Sequence, residues 1–90
     1  MKYRIQYTSR ARKDLRRLDS NTAERVIRAL HTLRDDPYHS LKKWKGGTHE
    51  HPVYTFRIGL YYRAILSVHD SVLTVYVLEI EDRNQAYRDF

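Results

Sequence analysis

The sequence predicts an α+β fold in which a sheet of four strands carries a hairpin of two helices on one face. Apolar residues alternate with period two, the spacing of a strand, in Met1–Tyr7, Val53–Ile58 and Tyr61–Val68. They recur at helical spacing through residues 10–33 and run almost unbroken through Val72–Ile80. The predicted order is therefore β-α-α-β-β-β, and 90 residues make a single domain, residues 1–90.

The first strand, Met1–Tyr7, leads into a short helix. Thr8 and Ser9 are residue types that cap helix N-termini. The helical spacing of three apolar residues predicts a helix from residue 10 to about residue 19: Ala11, Leu15 and Leu18. Its polar surface is basic and consists of Arg10, Arg12, Lys13, Arg16 and Arg17.

A second helix follows a break at residues 19–21. Asn21 and Glu24 have the spacing of a capping box. The helix places one apolar stripe along its length, made of Ala23, Val26, Ile27, Leu30 and Leu33. It is expected to end before residues 35–37, because proline disfavours helix at the preceding residue. The short connection predicts an antiparallel pair of helices whose stripe covers the sheet.

The next two strands form a hairpin around Gly59. Alternation places Tyr54, Phe56 and Ile58 on one face and sends Arg57 and Arg63 to the other, away from the helices. A long loop, residues 35–52, precedes this hairpin.

The strand Val72–Ile80 completes an antiparallel meander. It is apolar on both faces, as strands inside a sheet usually are. Residues 81–90 are expected to form a turn or a short helix after it.

The charge is uneven along the chain. The formal net charge is +6, from 17 basic and 11 acidic residues. Residues 1–34 hold ten basic and three acidic side chains, a net +7, which leaves −1 for residues 35–90. Such a field attracts polyanions, RNA or DNA first, although charge that merely maintains solubility is the alternative.

The composition excludes several classes of protein. No cysteine is present, so disulfides and thiolate metal sites are excluded. The histidines are scattered, and we expect no metal ion and no cofactor. Neither a GxSxG nucleophile nor a phosphate-binding loop occurs. Without a membrane span or a signal peptide, a soluble cytoplasmic protein is expected.

The basic residues are interleaved with aromatic ones, which is typical of surfaces that hold single-stranded RNA. A helix-turn-helix over residues 9–34 is an alternative, but strands follow where such modules stack a further helix. RNA is also cleavable without metal, if protein groups move protons and neutralise the phosphorane. The candidates for proton transfer are Tyr87, His49, His51, His69, Glu79 and Glu81.

Three segments resemble the RelE/ParE toxin superfamily: LKKWKG, then VYTFRIGLYYRAIL, and the ending EDRNQAY. The matching positions are Tyr54, Arg57, Ile58 and Gly59 in the first hairpin strand, Tyr62 and Arg63 in the second, and Arg83 and Tyr87 at the end. The resemblance implies a RelE-like fold and a toxin of a type II toxin–antitoxin system, neutralised by an acidic antitoxin.

RelE-like members cleave mRNA in the A site of the ribosome, so the resemblance implies a metal-independent endoribonuclease that inhibits translation. It assigns the catalytic roles to Arg57, Arg63, Arg83 and Tyr87. The residues expected to bind RNA are Arg10, Arg12, Lys13, Arg16, Arg17, Lys42, Lys43, Lys45, His49 and His51. ParE-like members share the fold and inhibit DNA gyrase, which is one alternative, and a degenerate toxin that only binds its antitoxin is another.

Two positions depart from the RelE-like pattern. Thr55 stands where lysine is common, and Glu81 stands where a further basic residue is common. The gyrase alternative, a weak nuclease, and a nuclease that uses His49 or His51 for proton transfer therefore stay open.

Overall fold

Two helices and five strands form within residues 2–39, 41–43 and 52–83, the part of the chain that the computed structural model describes. The helices are α1, Ser9–Arg16, and α2, Ser20–His31. The strands are β1, Arg4–Tyr7; β2, Lys42–Lys43; β3, Val53–Ile58; β4, Tyr62–His69; and β5, Thr74–Asp82. Two 3-10 turns, Thr32–Arg34 and Asp70–Val72, follow α2 and β4.

The strands form one mixed sheet in the order β1-β5-β4-β3-β2. Only β1 and β5 pair in parallel, and the other neighbours are antiparallel. The predicted α+β architecture, with four main strands and a helical pair, is confirmed. The structure adds β2, a two-residue edge strand in the segment that the sequence assigned to a loop.

Side-chain oxygens cap both helices. Thr8 accepts from the Ala11 N–H at 3.1 Å, as a capping residue before α1 should. Asp19 caps α2 and accepts from the Thr22 N–H at 3.2 Å. The capping box predicted at Asn21 is therefore wrong, since α2 has already begun at Ser20.

The core lies between the helices and one face of the sheet. Tyr54, Phe56 and Ile58 face this core, as the alternation predicted. Residues of α1, α2, the turn after it, and strands β4 and β5 complete it: Ala11, Val26, Leu30, Leu33, Ala64, Leu66, Val68, Val75, Val77 and Ile80. The opposite face of the sheet, here called the outer face, carries Arg57 and Arg63.

β5 starts and ends later than predicted and contains an irregularity. It runs to Asp82, where a turn or short helix was expected from residue 81, and residues 84–90 of that prediction lie outside the described residues. The 3-10 turn Asp70–Val72 ends at Leu73, whose φ of 46° is left-handed, so the strand begins at Thr74 rather than Val72. Ile65 pairs with Glu79, but Leu66 pairs with Val77, which leaves one residue of β5 unmatched. This bulge lets Val77 and Ile80 both reach the core.

Helix α1 closes the edge of β5 beyond the end of β1. Thr8 donates its N–H to the Val77 carbonyl at 3.0 Å and its hydroxyl to the Leu78 carbonyl at 2.8 Å. The buried Asp14 carboxylate accepts from the Ile80 N–H at 2.9 Å. The N-cap residue Thr8 and the Asp14 side chain of α1 thus replace the ladder partners that a longer β1 would supply.

Candidate functional site

Arg57 and Arg63 are direct cross-strand partners at the centre of the candidate site. Directly opposed residues of an antiparallel pair project from the same face, with Cβ atoms about 4.5–5.5 Å apart. Arg57 is exposed and Arg63 half-buried. The core occupies the other face, so both guanidinium groups belong to the outer face, as the sequence predicted.

Glu81 extends this arginine pair into a row of three. It is the cross-strand partner of Arg63 on β5, so the row runs Arg57, Arg63, Glu81 over three strands. Within the described residues, the ion pairs are Arg10–Asp14, Arg10–Glu79 and Glu24–Arg28, and none involves Arg57 or Arg63. Two adjacent guanidinium groups therefore remain available to an anionic ligand.

Arg83 lies just past the end of β5. Its N–H donates to the Tyr61 carbonyl at 2.7 Å and so continues the ladder between β4 and β5. Arg83 also lines a groove of about 390 Å³ between α1 and β5, whose other lining residues are Arg10, Asp14, Arg17, Leu18, Glu79, Ile80, Glu81 and Asp82. The site thus joins the row of Arg57, Arg63 and Glu81 to a groove of mixed charge.

The basic residues of α1 and of its C-cap, Arg17, are exposed, as predicted: Arg10, Arg12, Lys13, Arg16 and Arg17. Arg10 is bound internally, to Asp14 and Glu79, both at 3.4 Å. Its guanidinium reaches past the end of β1 to β5, which its position in the sequence did not indicate.

Lys42 and Lys43 form β2, where the sequence predicted a loop. Lys42 is exposed and pairs with Thr55, and Lys43 pairs with Tyr54. Other predicted site residues lie outside the described residues: Lys45, His49, His51 and Tyr87.

Three of the candidates for proton transfer can be located. Glu81 adjoins Arg63, whereas Glu79 is bound to Arg10. His69 is six residues from Arg63 along β4, roughly 20 Å at about 3.3 Å per residue. It contacts Ser67, with 3.1 Å between Oγ and Nε2, and the ring of Tyr76. Glu81 is thus much better placed than His69 to act beside the arginine pair.

A carboxylate that the sequence did not single out ties together three segments of the chain. Asp70 accepts hydrogen bonds from the Tyr3 hydroxyl at 2.7 Å and the Tyr38 hydroxyl at 2.8 Å. These bonds lower the pKa of Asp70, while burial and the bond to Asp70 raise the pKa of Tyr38. Tyr38 also packs edge-on against Tyr54, with 5.7 Å between ring centroids, which anchors the segment before β2 to the sheet.

In residues 2–39, 41–43 and 52–83, no group of three or more histidines or carboxylates is placed to hold a metal ion. None of the helices in these ranges is long and apolar enough to cross a membrane.

The mixed sheet, the helical pair and the arginine-bearing hairpin define the toxin class of the RelE/ParE superfamily, as the resemblance implied. Residues 5–87 match the family described as the ParE toxin of the type II toxin–antitoxin system parDE. The chain belongs to this family.

Solved structures of RelE toxins share the fold. The RelBE2 toxin–antitoxin complex of Mycobacterium tuberculosis matches with a TM-score of 0.79 and 25% identity, over 92% of this chain and 100% of that one. The archaeal RelE–RelB complex of Pyrococcus horikoshii matches with a TM-score of 0.77 and 25% identity, over 94% and 99%. The isolated RelE toxin of E. coli, 23% identical, matches in fold with a TM-score of 0.71, over 97% and 93%. A comparison with curated proteins found no match.

Proposed function

We propose that this toxin is a ribosome-dependent endoribonuclease that cleaves mRNA in the A site and thereby stops translation in the cytoplasm. The observation that carries the proposal is the cross-strand pair Arg57 and Arg63 on the outer face. Neither arginine takes part in an ion pair with another described residue. Guanidinium groups bind phosphate oxygens through two parallel hydrogen bonds, so neighbouring arginines fit a phosphodiester.

The chemistry requires only the RNA, the protein and water. The 2′-hydroxyl loses its proton and its oxygen attacks the adjacent phosphorus, while the bond from phosphorus to the 5′-oxygen breaks and that oxygen takes a proton from solvent water. The products are a 2′,3′-cyclic phosphate and a 5′-hydroxyl. Arg57 and Arg63 hold the phosphate, Arg83 offsets charge in the transition state, and Tyr87 accepts the first proton.

The test is a translation reaction with purified ribosomes and a reporter mRNA, followed by primer extension. We expect new mRNA ends within codons. We also expect a loss of at least about 100-fold in cleavage rate for Arg63→Ala, because the guanidinium that holds the phosphate also meets the charge that builds on its oxygens in the transition state. Arg4→Ala is the control, because Arg4 is an exposed arginine on β1, the strand at the far edge of the sheet. This variant should cleave mRNA at the wild-type rate. Absence of new ends at toxin doses that stop growth would refute the nuclease proposal.

Inhibition of DNA gyrase is a second candidate, favoured by the acidic end of the site. Glu81 lies beside Arg63 and Thr55 adds no charge, which makes the surface less cationic than RNA binding favours. The match to the ParE family supports the same candidate. A supercoiling assay with purified gyrase separates the two, since a nuclease leaves supercoiling unchanged. A chain inactive in both assays that still binds its antitoxin is a degenerate toxin.

The proposed partner in the resting state is an acidic antitoxin. RelE toxins of M. tuberculosis and P. horikoshii form complexes with RelB-type antitoxins, and the net charge of +6 favours an acidic partner here. We expect a short acidic open reading frame beside this gene, whose product protects cells that express the toxin. A product that fails to bind the purified toxin would contradict this pairing.

A further inference from the structure

Lys42 occupies a place that the sequence did not predict. It is the cross-strand partner of Thr55, because the short strand β2 pairs with β3 at the edge of the sheet. Directly opposed residues share a face, and Thr55 alternates onto the same face as Arg57, two residues on. Lys42 therefore belongs to the outer face, beside the arginine pair.

The spacing makes Lys42 part of the same cationic surface. Arg57 is the diagonal neighbour of Lys42, and such neighbours lie about 7–8 Å apart, within reach of long side chains. Lys42, Arg57 and Arg63 thus follow one another over β2, β3 and β4. Thr55 is small, so it leaves room for the lysine side chain above it.

Glu79, the carboxylate in the same row as Lys42, does not offset the charge of Lys42. Glu79 stands in the row of Lys42 and Thr55, but three strands away on β5, roughly 14 Å at about 4.8 Å per strand. Its carboxylate is bound to Arg10, on the far side of β5. Lys42 is exposed, and none of the ion pairs between described residues includes it.

We infer that Lys42 binds the substrate strand itself, at the phosphodiester next to the one held by Arg57 and Arg63. This inference rests on the proposed nuclease function and extends its site by one phosphate. The sequence assigned Lys42 to a loop that binds RNA, whereas this inference places it on the surface that aligns the substrate RNA for cleavage. A cation at this place limits how the strand slides across the arginine pair, and alignment of this kind raises the rate of the chemical step.

The first test measures single-turnover cleavage on programmed ribosomes over a range of toxin concentrations. Lys42→Ala should lower the rate at saturating toxin by about tenfold or more, the scale of a lost alignment contact. Adding Thr55→Lys to Lys42→Ala should restore most of it, because the new lysine projects from the same face one strand away. Lys2→Ala is the matched control, an exposed lysine before β1 at the opposite edge of the sheet, and it should behave as wild type.

The second test needs no cleavage. Binding of a short single-stranded RNA with a 2′-deoxy residue at the cleavage position is measured by fluorescence anisotropy against salt concentration. Lys42→Ala should reduce the slope of log K against log salt by about 0.7, the value for one phosphate contact on a single strand. Lys2→Ala should leave that slope unchanged.

The outcomes separate the two proposals. If Lys42→Ala raises only the toxin concentration needed for half-saturation and leaves the salt slope unchanged, Lys42 grips the ribosome and the inference is wrong. If adding Thr55→Lys to Lys42→Ala restores neither the cleavage rate nor the salt slope, the placement of Lys42 and Thr55 on one face is wrong. If wild type binds the oligonucleotide with the expected slopes but cleaves nothing, the nuclease proposal fails while the phosphate contact stands.

Discussion

Asp14 of α1 accepts a hydrogen bond from the backbone N–H of Ile80 in β5 at 2.9 Å. A carboxylate of a helix thereby takes the place of a strand, since β1 pairs with β5 only as far as Val77. Asp14 is 9% exposed, so its carboxylate and the N–H it serves are both shielded from water. The bond closes the sheet edge next to the groove that Arg83 lines.

Loss of the Asp14 carboxylate should destabilise the protein. Asp14→Ala leaves the Ile80 N–H without its acceptor, and an unsatisfied buried donor costs about 1–3 kcal/mol. Asp14→Asn retains an acceptor oxygen and should lose less. Urea unfolding measures both, with Asp35→Ala as the control, because Asp35 is exposed and such substitutions usually stay within about 0.5 kcal/mol. Equal stability of Asp14→Ala and Asp35→Ala would show that the bond contributes nothing.

The surroundings of Gly59 leave room for a side chain, but its backbone conformation disfavours one. Its φ is +63°, and a Cβ built there meets nothing within 4 Å. Gly59→Ala should therefore cost about 1–2 kcal/mol through the left-handed conformation alone. Gly59→Asn should cost less, since asparagine adopts that conformation more readily. Urea midpoints compare the two, and a larger loss for asparagine than for alanine would contradict this reasoning.

The pairing of Arg57 with Arg63 should itself cost stability. Like charges directly opposite in a sheet repel, so Arg57→Gln should raise the free energy of unfolding by about 0.2–1 kcal/mol at low salt. The gain should vanish near 1 M salt, where the Debye length is about 3 Å. Arg4→Gln is the matched control, because Arg4 faces the neutral Thr74 across β1 and β5. A gain that persists at high salt would point to a cause other than repulsion.

The bonds to Asp70 should make stability depend on acid pH. Hydrogen bonds from Tyr3 and Tyr38 lower the pKa of Asp70 below its usual 3.8, so this carboxylate stays charged in the folded state where the unfolded chain takes up a proton. The contribution is full above about pH 4 and is lost as pH falls through the lowered pKa. Thermal unfolding from pH 7 to pH 2 should show wild type losing its advantage over Asp70→Asn in that window.

A double variant checks the cause of the acid effect. Tyr3→Phe with Tyr38→Phe removes both donors while keeping the rings, so its unfolding curve should lie close to that of Asp70→Asn. If the double variant is instead more stable than Asp70→Asn at pH 7 and loses this advantage below pH 4, as wild type does, the tyrosines do not set the pKa of Asp70.

The sequence predicted what period-two and helical spacing determine. β3 has the predicted bounds, Val53–Ile58, and its alternation assigned Arg57 to the outer face correctly. The cap of α2 was misplaced, because Asp19 and Asn21 are both good capping residues and only the start of the helix at Ser20 decides between them. The Thr22 hydroxyl also donates a hydrogen bond to the Asp19 carboxylate, a contact that the spacing of Asn21 and Glu24 does not indicate.

Local sequence patterns could not predict contacts between distant parts of the chain. Arg10 and Glu79 are 69 residues apart, and nothing local to either residue indicates their ion pair. The bulge opposite Ile65 and Leu66 arises from pairing, and β2 is too short for alternation to reveal it. The sequence predicted that Lys42 binds RNA, but only the register of β2 and β3 shows that it pairs with Thr55.

The parallel pairing of β1 with β5 also determines when the sheet can form during synthesis of the chain. Arg4–Tyr7 lies beside residues 74–77, so the first strand has no partner until most of the chain has been made. The hairpin with Arg57 and Arg63 is translated earlier, but its neighbour β5 extends to Asp82. A nascent chain shorter than this cannot complete the sheet, and the arginine pair reaches its final setting only in the last stretch of translation.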